Sequence, residues 1–280
     1  MNNTLQKPLV AAAIQFTSTP DSNDNLNRIQ KFLREASQLG AELTVIPENF
    51  GFLGPESQKL SHAQSIENGP FIAAIREVAA QCNMAVIAGG IPEIGPDPGH
   101  VYNTSVFVGR SGEILGSYRK MHLFDIELRG GFSFKESSCV APGEEPVVVA
   151  FEGWNVGLSV CYDLRFPEYY RALVEKGADI LTVPAAFTLE TGKDHWDILL
   201  RARAIENQAY VIAAGQFGFH LKGRVSWGKS CIIDPWGTIL ACAPESEYVV
   251  LSRLDPAHLE ETRANLPCWS HRKINAPASE

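Results

Sequence analysis

The sequence contains no long hydrophobic run, no paired cysteines and no excess of basic charge. Each absence removes a class of protein. No stretch approaches the ~18 consecutive apolar residues of a membrane span. The first residues, MNNTLQKPLVAAAIQF, lack a basic start followed by a long apolar segment, so no secretory leader is expected and the cytoplasm is the expected compartment. The six cysteines (Cys82, Cys139, Cys161, Cys231, Cys242 and Cys268) are far apart and form no CxxC pair, which argues against a disulfide framework. The formal net charge is -8 and the basic residues are scattered, so neither nucleic acid nor a membrane surface is an expected partner. The seven histidines show neither i, i+4 pairing nor an HExxH motif, and no metal is expected. Gly89-Gly90 and Gly130-Gly131 lack the spacing of a phosphate-binding loop, and no cofactor is expected.

What is present is ordinary globular material, 45% hydrophobic and 20% charged over 280 residues. Apolar runs at 10–16, 42–48, 84–90, 104–109, 154–162, 179–187, 210–217, 230–237 and 248–254 predict strands. Between them, Leu26, Ile29, Leu33 and Ala36 recur at helical spacing, as do Phe71, Ile75 and Val78, and Trp196, Leu200 and Ala204. Pro167 suits a first helical turn, and Gly40 and Gly177 suit helix C-termini. Asp234-Pro235-Trp236-Gly237 reads as a hairpin turn. Strand–helix alternation predicts an α/β fold, with 1–280 as one domain, a core over about 8–272 and a loose tail over 273–280. GAELTVIP (40–47) and GADILTVP (177–184) echo one another, which fits either two similar half-units or any helix–Gly–strand unit.

Chemistry concentrates at strand ends. Cys161 closes the run WNVGLSV just before a helix, where a thiol would be accessible and would feel helical amides; a buried structural cysteine is the plain alternative. Ser159 in GLSVC imitates a nucleophile elbow, but Cys161 replaces the second glycine that the turn needs. Glu48 and Lys120 each follow an apolar run, as a placed acid or base would, although solvated loop residues occur there too. Glu136 in FSFKES lies between aromatic neighbours, Phe132 and Phe134, that would keep it partly dry.

VIPEN, YRKMHLFD and CYDLRFPE, in that order, resemble the nitrilase superfamily of carbon–nitrogen hydrolases, with its Glu–Lys–Cys triad. The likeness runs from AAAIQF to NLPCWSHRK and includes WGKSCIIDPWGTIL. It implies a four-layer αββα sandwich and pairing into a homodimer or higher homo-oligomer. Tyr162-Asp163 after the cysteine resembles the Nit branch, which acts on amides, and not the Trp-Glu of true nitrilases. LLRARAIENQAYVIAAGQFGFH and WSHRK resemble amidases of deaminated glutathione; HLFDIEL and FSFKESSCVAPG also resemble omega-amidases of α-ketoglutaramate.

The resemblance implies an amidase that releases ammonia from a small carboxylated amide through a thioester. Cys161 would be the nucleophile, its pKa lowered by a nearby base or cation, and Glu48 the proton shuttle. Lys120 and the N–H after Cys161 would be oxyanion donors, and Glu136 an orienting carboxylate. A carboxylated substrate calls for a cation; Arg165, four residues after Cys161, is the first candidate, against a structural ion pair with Glu168 or another acid. The branch adds Tyr162, Phe187 and Thr191 as pocket residues. His195 and Trp196 read as helix anchors, and His220 as a contact for a longer substrate. Three rival readings are hydrolysis of N-carbamoyl amines, a papain-like pair of Cys161 with His195, and a non-catalytic interaction protein.

Overall fold

The computed structural model describes residues 7–127, 133–221 and 223–274. Phe132, Gly130-Gly131 and most of the expected tail lie outside them. Two sheets carry the architecture. The first runs β17 (Tyr248–Leu254), β1 (Leu9–Gln15), β2 (Leu43–Ile46), β3 (Ala85–Ile94), β4 (Val101–Val108), β5 (Ile114–Arg119), and β8 (Val140–Ala141) also pairs with β4. The second runs β16 (Ile239–Cys242), β15 (Cys231–Ile233), β12 (Tyr210–Gly215), β11 (Ile180–Ala185), β10 (Trp154–Gly157), β9 (Val148–Phe151). Two hairpins, β6 (Asp125–Glu127) with β7 (Ser133–Lys135) and β13 (Phe217–Leu221) with β14 (Arg224–Trp227), stand apart from them.

Helices α1 (Ser22–Gln38) and α2 (Pro70–Cys82) cover the first sheet; α3 (Pro167–Glu175) and α4 (Leu189–Asn207) lie on the second, and α5 (Pro256–Asn265) follows β17. The sheets pack face to face through β1, β2 and β3 against β11 and β12, giving the expected αββα layers. Strand periodicity sorts the core. Ala11 and Ala13 point into the inter-sheet cluster, whereas Ala12 and Ile14 face Ile29, Leu33, Ile72 and Ile75 of the covering helices.

The helical stripes read from the sequence are the buried faces: Ile29, Leu33 and Ala36 in α1, Phe71, Ile75 and Val78 in α2, Trp196, Leu200 and Ala204 in α4. Asp21 caps α1 by accepting from the Asn23 and Asp24 N–H groups. The echoing segments occupy equivalent places, since β2 and β11 are each flanked by two parallel strands and touch across the seam. In the predicted hairpin the Gly237 N–H donates to the Asp234 carbonyl at 2.9 Å.

Two strands differ from expectation near the site. The run 154–162 leaves the ladder after Gly157, because side chains take over the bonding: the Ser159 hydroxyl donates to the Thr182 carbonyl at 2.7 Å, and the Val160 N–H to Asp163 at 2.8 Å. The run 84–90 continues to Ile94 through a shift of register between Ala88 and Ile91.

Candidate active site

Four loops converge where the sheets meet. Glu48 lies two residues beyond β2, Lys120 directly follows β5, Glu136 opens a 3-10 turn (Glu136–Ser138), and Cys161 opens another (Cys161–Arg165) beyond β10. All four line one cavity of about 720 Å³. Glu48, Lys120 and Glu136 are at most 4% exposed, so their charges survive only by pairing.

The pairing is dense. Lys120 Nζ donates to Glu48 Oε1 at 3.1 Å and to Glu136 Oε1 and Oε2 at 3.1 and 2.8 Å. Burial alone would depress the Lys120 ammonium, but the Glu136 and Glu48 carboxylates outweigh it and hold its pKa well above the ordinary lysine value. Burial likewise pushes Glu136 upward, and Lys120 with Lys59 overrides it, bringing the carboxyl down to about 2. Glu48 Oε2 accepts the Ala186 N–H at 2.9 Å, and Glu136 Oε2 the Phe124 N–H at 2.7 Å.

Cys161 adopts φ +49°, a left-handed conformation uncommon for a side chain-bearing residue and typical of strained functional positions. The expected lowering of its thiol pKa is not what the surroundings produce. Burial first, then the Glu48 carboxylate, push it well above the ordinary value, and Lys120 only partly opposes them. These surroundings favour the thiol over the thiolate. Ser159 is walled in, 0% exposed and bonded to Tyr170 and Thr182, which agrees with dismissing it as a nucleophile.

Two polar residues at the site are given no role by sequence reasoning, which uses Asp163 only as a branch marker. Asn103 Nδ2 donates to Glu48 Oε1 at 2.8 Å and to Glu136 Oε1 at 3.2 Å, tying the two carboxylates together. A flipped amide would set its oxygen against both, so this orientation is fixed by charge. Asp163 is 0% exposed and belongs to the Cys161–Arg165 turn itself. Asn103 carries no sequence signal beyond its place within a strand.

The candidate pocket residues gather on one wall. The Arg165 guanidinium lies 5.0 Å from the Phe187 ring centre and 5.8 Å from that of Tyr162, and Thr191 shares a 2.9 Å hydroxyl contact with Thr188. Arg165 makes no ion pair with Glu168; its described partner is His195 Nδ1 at 3.3 Å. Lys59, Lys193 and Arg224 also line the cavity, and Glu56 neutralises Lys59 and Arg224 at 2.7 and 2.8 Å. His195 is exposed on α4 and is not among the cavity-lining residues, which leaves the papain-like pair without a geometric basis. Trp196 anchors α4 through the Lys229 carbonyl at 2.9 Å. His220 is held behind the wall by the Ser18 carbonyl and the Ser226 hydroxyl, and burial pushes its pKa down to about 4. Among the described residues no cluster of three or more His, Cys, Asp or Glu is arranged to hold a metal ion.

Residues 10–264 match the carbon-nitrogen hydrolase family. The chain belongs to that family. It is an amide-hydrolysing enzyme of the nitrilase superfamily. It is 43% identical over 269 residues to the deaminated glutathione amidase of Synechocystis sp., covering 95% of this chain and 98% of the relative. It is 37% identical to the omega-amidase NIT2-A of Xenopus laevis, covering 93% of each. Among solved structures, the Caenorhabditis elegans NitFhit protein superposes with a TM-score of 0.90 at 34% identity, over 98% of this chain and 69% of that one. An amidase from Nesterenkonia sp. AN1, with the acetamide moiety of fluoroacetamide covalently added at its active-site cysteine, superposes at 0.78 and 30% identity, over 92% and 95%. The two solved structures share the sandwich described above.

Proposed function

We propose that this hydrolase cleaves its amide through a thioester on Cys161, with Glu48, Lys120 and Glu136 as its charged machinery. The observation that supports this reading is an ammonium buried between two carboxylates beside a thiol at the floor of a large cavity. Glu48 takes the thiol proton as Sγ bonds to the amide carbon. The oxyanion so formed meets the Lys120 ammonium and the Tyr162 N–H, one of the first N–H groups of its turn, which have no partner within that turn. Glu48 then protonates the leaving nitrogen, the carbon–nitrogen bond breaks, and the amine departs. Water, deprotonated by Glu48, attacks the thioester; the acid leaves and the thiol is restored. Each oxyanion donor of this kind contributes ~3–4 kcal/mol at the transition state. Glu136 keeps Lys120 charged and in place.

The substrate of this proposal is deaminated glutathione, as in the Synechocystis relative. Support comes from a cavity roomier than a five-carbon amide requires and from Arg165 and Lys193, cations on its wall with no carboxylate partner among the described residues. The second reading is α-ketoglutaramate, as for an omega-amidase. Their leaving groups differ. Deaminated glutathione holds its amides as peptide bonds and frees an amine, whereas α-ketoglutaramate has a primary amide and frees ammonia; the expectation of ammonia belongs to the latter. N-carbamoyl amines would add carbon dioxide. A cytoplasmic, homodimeric enzyme is the corresponding setting. Among the described residues no helix is long and apolar enough to cross a membrane. Ile198 and Ile205, exposed one heptad apart on α4 beside exposed Trp236, form a surface that a second copy would cover.

The test offers both compounds separately to the purified enzyme, with new amine and ammonia quantified and Cys161→Ala as control. Amine from deaminated glutathione, abolished in the variant, is expected. Dominant ammonia from α-ketoglutaramate would select the second reading, and undiminished turnover by Cys161→Ala would overturn the mechanism.

A further inference from the structure

One buried carboxylate takes no part in the reaction written above. Asp163 is 0% exposed and collects four donors. Its Oδ2 accepts the Tyr118 hydroxyl at 2.8 Å and the Val160 N–H at 2.8 Å. Its Oδ1 accepts His122 Nδ1 at 2.7 Å and the His122 N–H at 3.2 Å. A carboxylate can only accept, so Nδ1 carries the imidazole proton. The Tyr118 hydroxyl in turn accepts the Met121 N–H at 2.9 Å.

These bonds join two loops. Tyr118, Met121 and His122 bracket Lys120, the proposed oxyanion cation. Val160 and Asp163 bracket Cys161 and Tyr162, the proposed nucleophile and second oxyanion donor. A burial this complete is costly for a carboxylate unless every oxygen is satisfied, and here both are satisfied twice. The His122 ring closes the outer side by stacking on Phe166, with centroids 3.8 Å apart and planes at 11°. Lys120 is held from its own strand end as well, since its N–H donates to the Asn103 carbonyl at 2.8 Å. Among the hydrogen bonds described, Asp163 is where the turn at Cys161 is tied to the segment around Lys120.

We propose that Asp163 is a positioning residue that sets the distance between Cys161 and Lys120, and so preforms the oxyanion site, through Tyr118 and His122. The inference rests on the roles proposed for Cys161 and Lys120. Asparagine in its place would turn an NH2 group toward one pair of donors, and glutamate would add a methylene to a side chain that is 0% exposed. Loosening the tie shifts an oxyanion donor relative to the nucleophile, and a displacement of about 1 Å costs on the order of 100-fold in rate.

The experiment uses whichever of the two substrates above the enzyme turns over. It counts reactive sites by stoichiometric alkylation of Cys161 with iodoacetamide and expresses kcat per reactive site, so a partly unfolded population cannot imitate slower chemistry. Asp163→Asn is expected to lose roughly 100-fold in kcat per site with KM within about twofold. Tyr118→Phe keeps the ring, removes one donor and carries the test if Asp163→Asn does not fold; roughly a five- to tenfold loss is expected, again in kcat alone. Wild-type kcat per site in a folded Tyr118→Phe, a loss explained by fewer reactive sites, or a change confined to KM would each overturn the positioning role while Cys161→Ala remains inactive. Turnover by Cys161→Ala would instead overturn the reaction scheme, and this inference with it.

Discussion

Cys161 combines a strained backbone with a thiol whose pKa is held high, so the nucleophile role proposed for it requires the thiolate to form during the reaction. Glu48 has two opposed effects on it. As a charge it disfavours the thiolate, and as the proposed base it would remove the proton when substrate arrives. Glu48→Gln separates the two. Turnover is expected to fall by roughly 100- to 10,000-fold, while alkylation of Cys161 by iodoacetamide begins at lower pH than in the wild type, because burial remains and the repelling charge has gone. A pH–rate series for alkylation measures this; an unchanged profile would show that Glu48 does not face the thiol. Glu48, Lys120 and Cys161, three of the four residues proposed for the reaction, were legible in the sequence as charged or nucleophilic groups after apolar runs, in an order that resembles a known triad, and Glu136 as a carboxylate between aromatic neighbours. Asn103 and Asp163 were not. An asparagine inside a strand carries no signal, and an aspartate two residues after the cysteine serves in the sequence only as a branch marker; burial reveals what they hold.

At the scale of elements, β3 bears most directly on the site. Its register shift lets Gly90, at φ +30°, pass so close to the site that an added Cβ would lie 2.4 Å from Asn103 Oδ1 and 2.8 Å from Glu48 Cγ. Gly90→Ala is therefore expected to destabilise by about 1–3 kcal/mol and to lower kcat by displacing Glu48; urea titration and steady-state kinetics together test it. Helices were readable because a stripe of period 3.6 is a long signal, as in α1 and α4. The hairpins β6–β7 and β13–β14 were missed because strands of three to five residues with half-exposed faces carry too few alternations to register. The run at 154–162 overshoots its strand, Trp154–Gly157, because apolar character persists after the ladder ends. Leu158 and Val160 stay buried, while side chains satisfy the backbone there.

For the whole molecule, the buried charges set a pH window. Glu136 titrates near 2 when folded against an ordinary value of 4.5, so its contribution is complete above about pH 4.5 and is lost as pH falls toward 2. Lys120 and Cys161 are both raised, so theirs is complete below their ordinary values, 10.5 and 9.0, and is lost at higher pH. Urea midpoints measured from pH 5 to 2.5 are expected to fall more steeply for the wild type than for Glu136→Gln; parallel curves would contradict the depressed pKa.

Glu48 stands beyond a strand of one sheet, yet it accepts the Ala186 N–H from beyond a strand of the other, and its carbonyl accepts Gln216 Nε2 at 2.9 Å. Phe16 and Gln216 are bridged in parallel at the same place. The site is thus part of the seam between the two layers. Any fluctuation that parts the sheets at this end breaks the Ala186–Glu48 bond and with it the proposed proton shuttle, so catalytic competence and amide-exchange protection of Ala186 should vanish together, and the enzyme should have no half-open state that still reacts.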